Sequence, residues 1–321
     1  MNDEIMVSVC CLVYNHEKYL RQCLDGFMMQ KTNFKFEVLI HDDASTDGSP
    51  DIIREYERKY PDIIKPIYQK ENQHSKGVRI SCIYQYPRAK GKYIALCEGD
   101  DYWINPEKLQ MQFDYMESHN DCTLCTHEAY RYIISSGKKE LFTGINHNGV
   151  VPNEEIIKKG SMFVTSSLFF RKDVHIKMPN SFNKKGFGDL QIILYNSLMG
   201  YCYYFKNICS IYNYGTEGSW TSRVYLNNRK RAEHYKERIS LYKEVDIFTS
   251  QQYHELINKY ILKMEFNYHL SKGDFFSVHK KKYKPFLNEI KNRSNWNPIK
   301  ECFVNRFSWI AKLKRTKKNE G

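Results

Sequence analysis

The chain has 321 residues, of which 41% are hydrophobic and 15% aromatic, enough for one large α/β domain with an appendage or for two modest domains. This composition excludes global disorder, and no apolar run approaches the roughly 20 residues that span a bilayer. The net charge of +12 is uneven, because residues 272–321 hold fourteen Lys and Arg against four Asp and Glu. A basic end on a nearly neutral body predicts a polyanionic partner, either a membrane surface or a nucleic acid.

The ten cysteines are scattered through the chain without the spacing of a disulfide scaffold. The N-terminal residues run directly into a strand pattern and lack the pattern of a signal peptide. We therefore expect a cytoplasmic protein with free thiols. The basic end leaves open a peripheral position on the inner face of the cytoplasmic membrane.

The first hundred residues alternate strand and helix patterns, which is typical of βαβ units. The predicted elements here are strands at 7–13, 36–41, 64–68 and 93–97, and helices at 17–30, 50–59 and 105–119. Further along, the patterns predict strands at 123–126, 164–171, 201–205 and 209–214, and a helix at 190–199. Beyond residue 220 only long, polar, Tyr- and Lys-rich helices are predicted.

Two acidic clusters follow predicted strands: Asp42-Asp43 after the second, and Glu98-Gly99-Asp100-Asp101 after the fourth. Open α/β sheets bind ligands at the carboxyl ends of their strands. Carboxylates at that edge suit a hard divalent ion, which can neutralise the charge of a nucleotide diphosphate. An isolated Gly-Asp-Asp would be read as a solvated turn with a helix cap. The buried strand before it, Tyr102-Trp103 after it and the second acidic turn favour a ligand site.

Three segments, 7–15, 37–48 and 89–103, together resemble the family 2 glycosyltransferases with a GT-A fold, of the type that builds bacterial capsule and O-antigen polysaccharides. The resemblance implies an α/β fold in which a Rossmann-like mixed sheet is flanked by helices. The implied domains are a catalytic domain at 1–222, with a nucleotide-sugar half at 1–120 and an acceptor half at 121–222, and a basic helical extension at 223–321.

The resemblance also implies roles for residues of the donor half. Tyr14, Asn15 and Glu17 resemble contacts to the base and ribose of the nucleotide-sugar. Asp43 resembles the carboxylate that reads the edge of the pyrimidine ring, with Asp42 structural.

Within the second acidic turn, Asp100 resembles the ribose-side acid and Asp101 the ligand of Mn²⁺ or Mg²⁺. Glu98 stands where many relatives have Asp.

Many relatives carry an Arg that approaches the phosphates, at a position where this chain has Cys82. Arg79 is taken as the replacement, with Lys76 and Arg88 as alternatives.

On the acceptor side, an inverting transfer needs a general base near the acceptor hydroxyl. Asp189 follows Gly186-Phe187-Gly188 at a predicted helix start, and the resemblance assigns it this role. A plain N-terminal cap is the alternative. Trp220, with Ser219 and Arg223, is expected to line the donor site from the closing segment. That segment has no His, so a His–metal contact is not implied.

Two further patterns have alternative interpretations. Cys122, Cys125 and His127 suggest zinc, but three candidate ligands without a partner cluster, in period-2 alternation, favour a strand. Residues 302–315 can project one apolar side as a helix followed by lysines, which fits an interfacial helix on anionic lipid. A helix docked on the catalytic domain fits the same pattern.

Taken together, the sequence predicts an inverting, metal-dependent transfer of a sugar from a nucleotide-sugar, with UDP as the expected carrier. The acceptor would be a hydroxyl of a glycan or lipid-linked glycan in bacterial surface polysaccharide synthesis. A nucleotidyltransferase, or a nucleic-acid-binding protein that uses the basic end, is the alternative. Nucleic acid is not the expected partner, because it leaves the two acidic turns unexplained.

Overall fold

The fold is described from a computed structural model, which describes residues 4–182, 188–219, 224 and 227–291. The chain forms two compact units, Met1–Thr216 and Glu217–Gly321. The domain boundary at residue 222 stays a prediction. Within the described residues, every helix is too short or too polar to cross a membrane.

The first unit is built on one mixed ten-stranded sheet. Its strands are β1 Ile5–Val13, β2 Lys35–Asp42, β3 Ile64–Tyr68, β4 Tyr93–Leu96, β5 Tyr102–Trp103, β6 Cys122–Ile133, β7 Lys138–Leu141, β8 Gly149–Val151, β9 Phe169–Arg171 and β10 Tyr201–Tyr214. The order is β3-β2-β1-β4-β9-β6-β10-β5, with β7 on β6 and β8 on β10. The strands β3, β2, β1 and β4 are parallel, and β9 runs antiparallel to both of its neighbours.

Helices flank this sheet in the first unit and make up most of the second. Those of the first unit are α1 Glu17–Met28, α2 Ser49–Lys59, α3 Lys108–Ser118, α4 Asn153–Lys159, α5 Lys172–His175 and α6 Gly188–Leu198. The second unit contains α7 Asn228–Phe248, α8 His254–Lys272, α9 Phe275–Val278 and α10 Lys284–Lys291. Short 3₁₀ or π turns occupy Ser81–Gln85, Tyr86–Arg88, Thr165–Ser167 and Lys281–Tyr283.

A buried polar network aligns the three central parallel strands at their amino ends. The hydroxyl of Ser8 in β1 donates to Glu37 Oε1 in β2 at 2.7 Å and accepts from the backbone N–H of Gly91 at 2.9 Å. The N–H of Lys90 donates to the same carboxylate oxygen at 2.7 Å. Because buried polar groups must be paired, this network fixes where β4 enters the sheet beside β1.

Most predicted elements agree with the structure, and four strand predictions were wrong in extent. The strand predicted at 164–171 begins as the 3₁₀ turn Thr165–Ser167 and is extended only from Phe169. The strand predicted at 123–126 continues to Ile133. The polar residues His127 and Glu128 interrupt the apolar pattern, but both are buried within the strand. The two strands predicted at 201–205 and 209–214 are one strand, β10. The register shifts between Phe205 and Ile208, so Lys206 and Asn207 interrupt the pattern without ending the strand.

A lysine is buried beneath the sheet in α3. The ammonium nitrogen of Lys108 lies 2.8 Å from Gln112 Oε1 and 4.0 Å from the ring centre of Trp103, and the residue has no solvent-exposed surface. Burial disfavours the charged form and lowers the pKa of Lys108 to about 7. In the unfolded chain the same amine titrates near its ordinary value of 10.5.

Replacement of Lys108 is therefore expected to change how stability depends on pH. Between pH 7 and 10.5 the unfolded state binds the proton that the folded state has lost, so stability rises with pH by up to ~1.4 kcal/mol per unit. The free energy of unfolding of the wild type minus that of Lys108→Met should rise accordingly across this window, as measured by urea denaturation. The exposed Lys90→Met variant serves as the control and should parallel the wild type. A wild-type curve parallel to that of Lys108→Met would show that the buried amine does not titrate in this window.

Candidate functional site

The candidate site lies at the carboxyl edge of the parallel strands, where two loops interlock. The loop after β1 contains Asn15, in a left-handed conformation (φ 57°), whose backbone N–H donates to Ser45 Oγ at 2.9 Å. Its side-chain oxygen accepts from the N–H of Thr46 at 2.7 Å. Asn15 thus braces the loop that follows β2.

Glu17 makes a second connection between these loops. Its carboxylate accepts from the N–H of Gly48 at 3.0 Å, and its own N–H donates to Asp47 Oδ2 at 3.0 Å. Tyr14 lies just before this connection with 44% of its surface exposed. Three residues of this loop are predicted to contact the nucleotide-sugar. Asn15 and Glu17 hydrogen-bond to the neighbouring loop, while Tyr14 faces solvent.

Asp43, directly after β2, is buried and also anchors a loop. Its Oδ1 accepts from the N–H of Gln73 at 2.7 Å, and its Oδ2 accepts from the N–H of His74 at 3.0 Å. His41 Nε2 lies 3.8 Å from Oδ1, and burial lowers the pKa of this imidazole, which favours its neutral form at pH 7. The carboxylate predicted to read a pyrimidine ring therefore already holds the loop around residue 73.

The second acidic turn is pressed against the end of β1, and Gly99 permits this approach. Its N–H donates to the carbonyl of Leu12 at 2.9 Å. A Cβ at this position would lie 2.8 Å from His16 Nδ1 and 2.9 Å from Val13 Cγ2, closer than real side chains pack. The glycine between Glu98 and Asp100 is thus required by packing, which accounts for its place in the motif.

Two residues at the end of β10 hold the aspartates of this turn in place. The N–H of Asn213 donates to Asp101 Oδ1 at 3.0 Å, and its side-chain amide donates to the carbonyl of Asp100 at 2.6 Å. The hydroxyl of Thr216 donates to Asp100 Oδ2 at 2.9 Å. Asn213 and Thr216 were not predicted as site residues. The only sequence signal was their place in the closing segment, more than a hundred positions from the aspartates.

The structure brings Asp189 into the electrostatic environment of the acidic turn. Glu98 has exposed surface. Its pKa is nevertheless raised to about 8, mainly by loss of hydration and further by the negative charges of Asp100 and Asp189. Burial, then the charges of Asp100 and Glu98, raise the pKa of Asp101 well above its ordinary value, although the N–H of Asn213 opposes this. These carboxyl groups therefore repel one another.

Asp189 itself is partly buried in the first turn of α6, and its Oδ1 accepts from the N–H of Leu190 at 2.7 Å. The residues that follow, Leu190 to Ser197, are all buried, so the helix that carries Asp189 is fixed against the sheet. Asp189, the predicted base, and the acidic turn, the predicted metal site, thus face one charged region.

The donor set of the acidic turn fits a divalent cation. The carboxylates are hard oxygen ligands that crowd one another, and a cation would relieve this repulsion. Within the described residues, no three His, Cys, Asp or Glu side chains are arranged as a preformed metal cage. A nucleotide-binding ion needs few protein ligands, because phosphate and water complete its shell.

The residues considered for the phosphate-facing charge occupy different surroundings. Arg79 Nη2 lies 2.9 Å from Cys82 Sγ. Lys76 pairs with Glu71 in an exposed loop. Arg88 donates to the carbonyl of Lys65, near the amino end of β3 and therefore towards the opposite edge of the sheet.

The closing segment, which is expected to line the donor site, is only partly described. Trp220 and Arg223 lie outside the described residues, and Ser219 is the last residue before that gap. The interfacial helix predicted at 302–315 also lies outside them. Cys122 and Cys125 are buried in β6 with their sulfurs 3.6 Å apart.

A mixed sheet flanked by helices, with acidic turns at the carboxyl edge of its parallel strands, is the GT-A fold of glycosyltransferases. The chain belongs to Glycosyl transferase family 2, whose sequence profile matches residues 8–178, just over half of the chain.

Among curated relatives, an uncharacterized protein of Mycobacterium tuberculosis is 44% identical over 134 residues, which is 42% of this chain and 38% of the relative. EpsE of Bacillus subtilis is 28% identical over 180 residues, 54% of this chain and 59% of the relative. TuaG of the same organism, named for teichuronic acid biosynthesis, is 32% identical over 111 residues, 35% of this chain and 42% of the relative. The chain thus matches less than two thirds of the length of these relatives.

Two solved structures have the same fold. The match to TarS 1–349 of S. aureus, in complex with UDP-GlcNAc, has a TM-score of 0.58 at 17% identity. It covers 96% of this chain and 92% of the TarS chain. The mannosyltransferase PcManGT of Pyrobaculum calidifontis, in complex with GDP-Man and Mn²⁺, has a TM-score of 0.55 at 13% identity and covers 100% of this chain and 89% of that chain. At these identities the likeness establishes the fold.

The anchoring role of Asp43 leads to a testable prediction. In Asp43→Asn one carboxylate acceptor becomes an amide donor, which faces a backbone N–H and cannot accept from it. The amides of Gln73 and His74 should then exchange faster with solvent, and the protein should lose about 1 to 3 kcal/mol of stability. Hydrogen exchange followed by mass spectrometry measures the first effect, with the exposed Asp51→Asn as the matched control. Unchanged protection at residues 73–74 would exclude this anchoring role.

Proposed function

We propose that this chain transfers a sugar from a nucleotide-sugar to an acceptor hydroxyl, with inversion at the anomeric carbon. The observation that carries the proposal is the shared electrostatic environment of Glu98, Asp100 and Asp189, which joins the turn after β4 to the start of α6. The diphosphate of the donor and the general base that deprotonates the acceptor hydroxyl must lie on either side of the same anomeric carbon. The family assignment supports sugar transfer over nucleotidyl transfer or nucleic-acid binding.

The donor would lie along the carboxyl edge of β1, β2 and β4. We assign the base and ribose to Tyr14, Asn15, Glu17, Asp43 and Asp100, and the diphosphate side to Arg79 and Trp220. UDP is the proposed carrier. TarS has been solved with UDP-GlcNAc and PcManGT with GDP-Man, so this fold accommodates both kinds of donor in other proteins.

Asp101 is the proposed ligand of Mn²⁺ or Mg²⁺. When bound, such an ion would neutralise the charge that develops on the departing diphosphate. Asn213 orients the Asp101 carboxylate through its backbone N–H, which leaves Oδ2 of Asp101 for a ligand. Thr216 fixes Asp100 in the same way.

Asp189 is the proposed general base. Its carboxylate would accept the proton of the acceptor hydroxyl while the acceptor oxygen bonds to the anomeric carbon. The bond from that carbon to the phosphate oxygen breaks, and the nucleoside diphosphate leaves with the electron pair. Attack opposite the leaving group inverts the anomeric configuration. The rigid packing of α6 behind Asp189 supports this role, because a base must be held within hydrogen-bond reach.

The proposed acceptor is a glycan or lipid-linked glycan of bacterial surface polysaccharide, such as capsule or O-antigen. The support is the name of TuaG, which refers to a cell-surface polymer. A cytoplasmic protein with a peripheral position on the inner membrane face would reach a lipid-linked acceptor. We assign catalysis to residues 1–222 and treat 223–321 as a basic extension.

The role of Asp189 is tested by Asp189→Asn in a screen of UDP-, GDP- and dTDP-sugars with Mn²⁺ or Mg²⁺. Wild type should release nucleoside diphosphate from one class of donor in the presence of an acceptor. Because general base catalysis contributes about 10²- to 10⁴-fold, turnover by Asp189→Asn should fall by at least ~100-fold while donor binding persists.

Asp173→Asn is the matched control, since Asp173 is an exposed aspartate in the first turn of another helix, α5. It should retain turnover. Full turnover by Asp189→Asn would remove this residue as base, and the absence of binding by every nucleotide-sugar would reject the proposed function.

A further inference from the structure

The second unit presents an aromatic side chain to solvent at the short helix α9. Phe276 is 82% exposed, the highest value among the large hydrophobic side chains that the structure describes as exposed. Single exposed apolar residues are common on protein surfaces and need no explanation alone. The structure around Phe276 and its charge distinguish this case.

The fold of the second unit holds Phe276 outward. Helix α8 ends at Gly273 in a left-handed conformation (φ 67°), and Asp274 Oδ1 then caps α9 by accepting from the N–H of Ser277 at 3.1 Å. Val278 is fully buried in a small core, so α9 cannot rotate to cover Phe276. That core consists of Phe266, Leu270, Val278, Tyr283 and Leu287. Exposure of Phe276 is thus fixed by a cap, a turn and a packed neighbour.

Exposed lysines accompany this aromatic ring in the chain. Lys272 precedes α9, and Lys280, Lys281 and Lys284 follow it, all exposed. Within residues 227–291 these four form no ion pair, whereas Lys282 pairs with Glu265 at 2.7 Å. The acid within residues 272–284 is Asp274, which pairs with His269 at 3.1 Å. Among the described residues, the four lysines therefore add positive charge to this segment without an ion pair.

We propose that the second unit docks on an anionic lipid bilayer through one surface. This Phe276 surface consists of Phe276 and the four lysines Lys272, Lys280, Lys281 and Lys284. An apolar ring on a projecting turn can enter the boundary between headgroups and acyl chains, while lysines bind anionic headgroups. Binding of single-stranded nucleic acid relies on several aromatic side chains along a basic groove, and one projecting ring does not form such a platform. The surface includes none of residues 302–315, and the proposal does not depend on the proposed function.

The apolar contribution is tested by flotation of the full chain with vesicles of phosphatidylcholine alone, and with vesicles in which about a third is phosphatidylglycerol. Wild type should bind the anionic vesicles more tightly. Phe276→Ser should weaken this binding by about tenfold, because the ring no longer leaves water. Ile247→Ser is the matched control: Ile247 is 72% exposed in the same unit but stands near Glu244 and Asp246 in α7, so binding should not change.

The charge contribution has its own pair of variants. Lys280→Gln/Lys281→Gln should weaken binding to anionic vesicles by about twenty-five-fold, at roughly one factor of five for each lysine. Lys236→Gln/Lys243→Gln removes the same charge from exposed positions of α7 and should have little effect. Phe276→Trp should retain binding, which separates loss of the apolar anchor from misfolding.

Two results would overturn the proposal. The first is equal binding of wild type to neutral and anionic vesicles. The second is equal binding of Phe276→Ser and Ile247→Ser to anionic vesicles. Binding to a single-stranded oligonucleotide that Phe276→Ser abolishes, without vesicle binding by wild type, would assign the surface to nucleic acid instead.

Discussion

Mutual repulsion among carboxylates is the constraint on which the candidate site depends. Glu98, Asp100 and Asp101 share one turn, and Asp189 approaches it from the start of α6. Such a group is unfavourable unless hydrogen bonds or a cation offset it. The end of β10 supplies part of the compensation through Asn213 and Thr216. The remaining repulsion would favour a cation at this turn, as the proposed diphosphate-binding ion requires.

The sequence predicted the parallel half of the sheet well, because β1, β2 and β4 are short apolar runs, and β2 and β4 end in recognisable acidic turns. It failed where pairing, rather than apolar periodicity, decides the structure. The strand β10 continues through Lys206 and Asn207 because its register shifts there. Asn213 could not be assigned, since its partners Asp100 and Asp101 are brought near only by folding. Glu17 and Asp43 match the family pattern, but only the structure showed that each also anchors a loop.

The two units differ in the physical chemistry that they present. The first gathers negative charge at the carboxyl edge of its sheet and buries Lys108 within its core. The second contains a small hydrophobic core and exposes Phe276 among unpaired lysines. This division suits an enzyme that binds a charged small donor at one place and an anionic surface at another. Each property is carried by separate residues, so each can be removed without the other.

The central claim is that the acidic turn binds a diphosphate through a divalent cation. Calorimetric titration of the full chain with UDP, once with Mn²⁺ and once with a chelator, tests it most directly. We expect Mn²⁺ to strengthen UDP binding by at least about tenfold, or ~1.4 kcal/mol. Asp101→Asn should remove most of that gain, because Asp101 is the assigned ligand. Equal affinity for UDP with and without Mn²⁺ would show that the acidic turn does not bind the diphosphate through a cation.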